Sequence, residues 1–199
     1  MTPGTSRPEG FEAVDVCSAG DVGDAGVRGA PRRNVELKAI DPDPGRSLAI
    51  CRELGAEDSG VLWQRDTYFT VPNGRLKLRE QTPGDPHLIQ YDRADRPEQR
   101  LSAYRLVPVT DAAGLREALA TAVGIRGVVE KRRHLFLWQG VRIHLDEVSG
   151  LGAFIEFEAV APPESDLTRE HALVNELREV FGVGDERLRA QGYAALLGL

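Results

Sequence analysis

Three short runs of the sequence put charged side chains at every second position. In Gly74-Arg75-Leu76-Lys77-Leu78-Arg79-Glu80 three cations alternate with leucines, Lys131 and Arg133 repeat the spacing, and Glu156 and Glu158 alternate with Ile155 and Phe157. Successive side chains of a strand point to opposite faces, so Arg75, Lys77 and Arg79 share one face. Like charges in such a row repel, and an anion settles them. Arg and Lys grip phosphate oxygens, while carboxylates such as Glu36, Glu156 and Glu158 suit a hard divalent cation, Mg²⁺ or Mn²⁺. Together these residue types could hold a metal-bound polyphosphate.

Other chemistries fit poorly. The chain has no Gly-x-x-x-x-Gly-Lys-[Ser/Thr] loop, no Gly-x-Ser-x-Gly elbow and no His-Glu-x-x-His pair. His87, His134, His144 and His171 are scattered and read as surface or structural residues. With only Cys17 and Cys51, neither a disulfide framework nor a zinc cluster is expected. The net charge of -6 argues against general nucleic-acid binding. No apolar run suits a membrane span and the N-terminus lacks the pattern of a signal peptide, so a cytoplasmic protein is expected.

The elements that must position these residues are mostly strands. Asn34-Val35-Glu36-Leu37-Lys38 and Arg142-Ile143-His144-Leu145-Asp146 show the same alternation, apolar on one face and charged on the other. Residues 1–30 are rich in Gly and Asp without periodicity and are expected to be a disordered tail, followed by one domain over 31–199. Within it, strand one at about 32–39 is followed by a helix capped by Asp43 with Pro44 in its first turn, carrying Leu48, Cys51 and Leu54 inward. Cys51 therefore reads as a core residue. Strands follow at about 64–69, 75–80, 88–93 and 102–109, with a hairpin turn at Asn73-Gly74. A helix from Thr110 or Asp111 to Gly124 precedes strands at about 126–138, 141–148 and 153–160. A helix over about 166–181 and a short one near 193–197 end the chain. Long hairpin runs make the sheet antiparallel, and eight or so strands could close into a barrel.

The charged face then has two readings. It is a solvated sheet face with mild cross-strand acid–base pairs, or it lines a tunnel while the apolar faces lie outward under the helices.

These segments resemble the CYTH superfamily, the triphosphate tunnel metalloenzymes, over about residues 32–197. The opening Glu-x-Glu-x-Lys of that family falls on Asn34-Val35-Glu36-Leu37-Lys38. Gln64-Arg65-Asp66-Thr67-Tyr68-Phe69 and the Arg75–Glu80 run look like its next two strands, and Lys131-Arg132-Arg133 like its later Lys-x-Arg strand. Leu145-Asp146-Glu147-Val148-Ser149-Gly150-Leu151-Gly152-Ala153-Phe154-Ile155-Glu156-Phe157-Glu158 resembles its closing motif, and the wording is most similar to the class IV adenylyl cyclase-like branch. The resemblance implies an α+β fold in which an eight-stranded antiparallel barrel, flanked by helices, holds a triphosphate. It implies that Glu36, Glu156 and Glu158, with Asp146 nearby, bind Mg²⁺ or Mn²⁺. It implies that Lys38, Arg75, Lys77, Arg79, Lys131 and Arg133 grip the triphosphate, and parity alone adds Arg93. Catalytic roles are expected for Glu36, Lys38, Asp146, Glu156 and Glu158.

The expected substrate is a small triphosphate: ATP, converted to cyclic AMP and pyrophosphate, or tripolyphosphate or thiamine triphosphate, hydrolysed at a terminal phosphorus. Asn34 departs from the family pattern, keeping an oxygen ligand but losing a charge. Weakened catalysis at that site would leave a polyphosphate- or nucleotide-binding module.

Overall fold

The structure is a computed structural model that describes residues 32–93 and 100–199, apart from the side chains of Arg93, Arg100 and Leu101. The expected N-terminal tail, with Cys17, lies outside the described residues. In chain order the elements are β1 (Arg32–Ile40), α1 (Pro44–Glu53), β2 (Glu57–Phe69), β3 (Arg75–Thr82), β4 (His87–Arg93), β5 (Arg100–Pro108) and α2 (Ala112–Val123). They continue with β6 (Ile125–Trp138), β7 (Val141–Val148), β8 (Gly152–Ala161), α3 (Thr168–Val180), a single 3₁₀ turn (Asp185–Arg187) and α4 (Tyr193–Leu196).

The strands close into an antiparallel barrel in the order β1-β5-β4-β3-β2-β6-β7-β8. Closure leaves no free edge. Alternation decides what faces where. On β1, Val35, Leu37 and Ala39 turn outward and join Ile143, Ile155 and Phe157 under Leu173, Val174 and Leu177 of α3 and Cys51 of α1. The apolar core thus lies between the barrel wall and its helices, and the barrel interior is left to the polar partners of the same strands. Of the two sequence readings, the tunnel is the one observed.

Local signals account for the ends of the elements. The Asp43 side chain accepts the Arg46 N–H at 3.0 Å and Pro44 opens α1. Asp111 accepts the Gly114 N–H at 2.9 Å and caps α2. The β6–β7 hairpin turns on Gln139 and Gly140, at φ 50 and 84, the paired left-handed geometry of a tight two-residue turn. Two boundaries differ from the sequence reading. β2 begins at Glu57, well before residue 64, because it pairs with the long β6 beyond the end of β3. α3 begins at Thr168, since Leu167 sits at φ 71 and the Ser165 hydroxyl and Asp166 carboxylate accept the N–H groups of Leu167 and Thr168. Burial, reinforced by the Asp58 charge, pushes the Cys51 thiol up to about 12, as suits an inert core residue. Among the described residues no helix is long and apolar enough to cross a membrane.

Candidate functional site

Inside the barrel lies a cavity of about 200 Å³ lined by Glu36, Lys38, Lys77, Arg79, Lys131, Arg133, Glu156 and Glu158, all singled out from the sequence. Register explains their grouping. Lys38 of β1 lies opposite Glu156 of β8, and Glu36 opposite Glu158. Asp66 of β2 lies opposite Arg79, and Tyr68 opposite Lys77. Arg133 of β6 lies opposite Asp146 of β7.

Each cation is braced by a buried acid. Asp66 receives Arg79 through Nε and Nη2, both at 2.7 Å, and Lys77 Nζ at 2.8 Å. Burial works to raise the Asp66 carboxyl, but Arg79 and Lys77 overcome it and hold it well below the usual range. Asp146 receives Arg133 in a two-point contact at 2.6 Å for each bond, and also the Tyr193 hydroxyl at 2.8 Å. Lys131 stands 3.4 Å from the same carboxylate. Glu156 meets Lys38 at 3.2 Å and Arg133 at 3.1 Å. Burial opposes its ionisation, and Lys38, the hydrogen bond from His144 and Arg133 together keep it well below the carboxylate range. Glu158 is held low in the same way, with Arg142 at 3.5 Å the largest opponent of burial.

The other expected site residues are placed differently. Asp146 is buried behind Arg133 with its oxygens engaged by Arg133, Lys131 and Tyr193, and does not line the cavity. Arg75 shares the face of Lys77 but stands beyond the lining, its guanidinium carbon 5.8 Å from the Tyr91 ring centre. Arg93 ends β4 opposite Ser102, and its side chain lies outside the described residues. Arg132 faces outward and is exposed, as its parity demands.

Asn34 lines the cavity and its Nδ2 donates to Glu158 Oε1. Its Oδ1 is buried without a hydrogen-bond partner among the described residues. That orphaned oxygen, beside Glu36 and Glu158, is a hard donor set of the kind a divalent cation takes. Among the described residues no three His, Cys, Asp or Glu side chains converge as a ready-made cage. Mg²⁺ is commonly held by one or two carboxylates and completed by substrate phosphates, and the donors present fit that arrangement.

Several participants carried no sequence-level assignment. Asp66 has the inward parity of Gln64 and Tyr68, which would have placed it against the β3 cations. His144 is neither scattered nor exposed: it is buried, with Nδ1 3.5 Å from Glu156 and Nε2 3.7 Å from Glu158. Burial first, then the Arg133 charge, lower its pKa. Tyr193 offered no signal at all, because it reaches the site from α4 rather than from a strand; its ring lies 3.9 Å from Lys38 Nζ and 4.9 Å from Lys131 Nζ.

The CYTH domain family model matches residues 32–187. No curated protein matches the chain. Among solved structures, the PH1012 protein of Pyrococcus horikoshii OT3 superposes with TM-score 0.71 at 22% identity, covering 82% of this chain and 98% of its own. A candidate adenylate cyclase of Vibrio parahaemolyticus gives 0.69 at 22%, covering 83% and 98%. A candidate adenylyl cyclase of Hippeastrum, described as having a dominant triphosphatase activity, gives 0.56 at 14%, covering 83% and 93%. At these identities the likeness is one of fold.

Proposed function

The chain belongs to the CYTH domain family, and on that premise we propose that it is a divalent-metal-dependent enzyme that takes a small triphosphate into its barrel, with ATP converted to cyclic AMP and pyrophosphate as the leading reaction. The observation that carries this reading is the wall of Lys38, Lys77, Arg79, Lys131 and Arg133 sharing one cavity inside the barrel with Glu36, Glu156 and Glu158. The cations would grip phosphate oxygens, and their buried acids would keep them aimed. Glu36 and Glu158, with Asn34 Oδ1 and with Glu156 alongside, would hold Mg²⁺ or Mn²⁺, which when bound supplies charge neutralisation at the phosphates. We assign Asp146 a positioning role toward Arg133, since its oxygens are already engaged.

In the cyclase reaction the ribose 3′ hydroxyl oxygen would bond to the α-phosphorus and give up its proton to solvent, while the bond from the α-phosphorus to the oxygen bridging to the β-phosphorus breaks and pyrophosphate leaves with the electron pair. Positioning and electrostatic stabilisation supply most of the rate for such transfers. Arg79 and Arg133, each fixed at two points by a carboxylate, are preorganised for that work.

A second reading is hydrolysis of tripolyphosphate, thiamine triphosphate or a nucleoside triphosphate, the kind of activity described for the Hippeastrum neighbour. The contact of Asn34 with Glu158 favours a third outcome, binding with weak turnover, because it occupies one oxygen of a proposed metal ligand.

Incubation with ATP, tripolyphosphate and thiamine triphosphate, each with Mg²⁺ or Mn²⁺, separates these. Cyclic AMP and pyrophosphate from ATP establish the cyclase; orthophosphate without cyclic AMP establishes the hydrolase. Tight binding without product establishes the binding module, and Asn34→Glu should then restore turnover. Absence of both binding and product refutes the proposal.

A further inference from the structure

The helices leave one stretch of the barrel's outer wall bare. α3 packs on β1, β7 and β8, α1 on β7, and α2 on β2 and β3. Where β2 pairs with β6, Trp63 points outward and is 63% exposed, although tryptophan usually hides most of its ring. Its neighbour Gln64 lines the cavity, so parity dictates the direction of residue 63. Parity does not dictate an aromatic ring there.

The charges around Trp63 form a grid. In one row Trp63 lies opposite Arg132 of β6, which lies opposite Glu147 of β7. In the next row Glu80 of β3 lies opposite Arg65 of β2, which lies opposite Glu130 of β6. Glu80 is already engaged, both its oxygens accepting from Arg116 Nη1 of α2. Arg65 and Glu130 stand 3.8 Å apart with each side chain more than half exposed. Arg132 and Glu147 are exposed as well. A surface pocket of about 720 Å³ opens over this grid, lined also by Ser149 and Gly150 of the β7–β8 turn.

An exposed tryptophan among guanidinium groups is the composition of a binding surface. The pattern of signs selects the occupant. Two cations and two carboxylates are on offer, so a uniformly acidic or basic partner would meet as many like charges as opposite ones. A copy of the same grid, turned by a half-rotation about an axis that crosses the strands between the two rows, sets no like charges opposite each other.

We propose that this face docks a second copy of the chain in that arrangement. Each Trp63 then lies against the partner's Arg65, and each Arg132 meets the partner's Glu130. Every contact is made twice, as in an isologous dimer. A barrel wall is convex, and these long side chains carry the contact. The inference is independent of the triphosphate reading, because none of these four residues lines the cavity.

The test is the mass of the full chain in solution, by sedimentation equilibrium over a range of concentrations. The wild type should approach twice the chain mass as concentration rises. Trp63→Ala, Arg132→Glu and Glu130→Arg should each weaken association about tenfold or more, the two reversals because they set like charges against each other across the axis. Combining Glu130→Arg with Arg132→Glu exchanges the pair and should restore the dimer in large part. All three positions are exposed, so the circular dichroism spectra should stay native. Dilution gives a second reading. The chain has two tryptophans and Trp138 is only 8% exposed, so a red shift of the emission as dimers part belongs to Trp63. A monomer at every concentration overturns the proposal and leaves the face to another partner. A dimer untouched by the single variants, or one that the exchanged pair fails to restore, places the contact between copies elsewhere and overturns it too.

Discussion

Lys77 is a cation whose charge is insecure. Its Nζ lies 2.8 Å from Asp66, but that carboxylate is already held at two points by Arg79. Burial first, and then repulsion from Arg79, bring Lys77 down to about 8 from its usual 10.5 in spite of Asp66. The sign of the consequence differs for folding and for binding. Between about 8 and 10.5 the unfolded chain holds this proton more firmly than the folded one, so the contribution of Lys77 to stability improves as pH rises through that window. Triphosphate binding needs the ammonium charged and should weaken there instead. The contribution of Lys77 to tripolyphosphate affinity should be nearly level up to pH about 8 and then fall by up to tenfold per pH unit. Lys77→Arg should remove that part of the fall, because a guanidinium stays charged throughout. The ligand's own titration is common to both proteins, so the difference between their profiles belongs to residue 77. Parallel profiles for the two would show that Lys77 does not face the phosphates.

Among the elements, α4 has an influence out of proportion to its four residues. It closes one end of the barrel with Tyr193, whose hydroxyl donates to the buried Asp146 at 2.8 Å. Burial and the Asp146 charge push the phenol well above its ordinary value, so it remains a donor across the working range. Tyr193→Phe keeps the ring beneath Lys38 and Lys131 and removes only that bond. A hydrogen bond to a charged group contributes about 2 kcal/mol, so the melting temperature should drop by roughly 4–8 °C while the circular dichroism spectrum stays unchanged. A drop under about 1 °C would mean that Asp146 is fully satisfied by Arg133 and Lys131 alone. The contrast between α4 and the strands also shows what was legible in the sequence. Period-two alternation marked the inward faces of β1, β3, β6 and β8, and the turn residues Asn73-Gly74 located a hairpin. The family resemblance, carried by the Leu145–Glu158 stretch, turned those faces into a tunnel. Which carboxylates line the cavity and which are buried behind its cations was not legible, because Asp146 and Glu156 have the same inward parity and both pair with cations. Nor was Tyr193, since a four-residue helix has no periodicity that would aim it at a barrel end.

At the scale of the whole molecule, an acidic chain lines its barrel with cations. A net charge of -6 coexists with an interior lining of six lysine and arginine side chains, because the helices cover the apolar outer faces and leave the barrel lumen polar. Such a wall is strained by its own repulsion as well as by burial, visible in Lys131, whose pKa both burial and the Arg133 charge drive well down. An anion that neutralises the wall should therefore stabilise the folded chain as a whole. At a hundred times its dissociation constant, any ligand that binds only the folded state adds about 2.7 kcal/mol, which for a protein of this size is roughly 5–10 °C in melting temperature. Tripolyphosphate should produce such a shift in the wild type. The shift should survive in Arg132→Ala, whose side chain is exposed on the outer face, and largely vanish in Arg133→Ala, whose side chain lines the cavity. The comparison must be made between shifts and not between absolute melting temperatures, because Arg133→Ala also strands Asp146 as a buried charge with fewer partners and lowers stability before any ligand is added. Adjacent residues on one strand then act as each other's control: equal shifts in the two variants would place the anion outside the barrel, and a shift lost only at Arg133 would place it within.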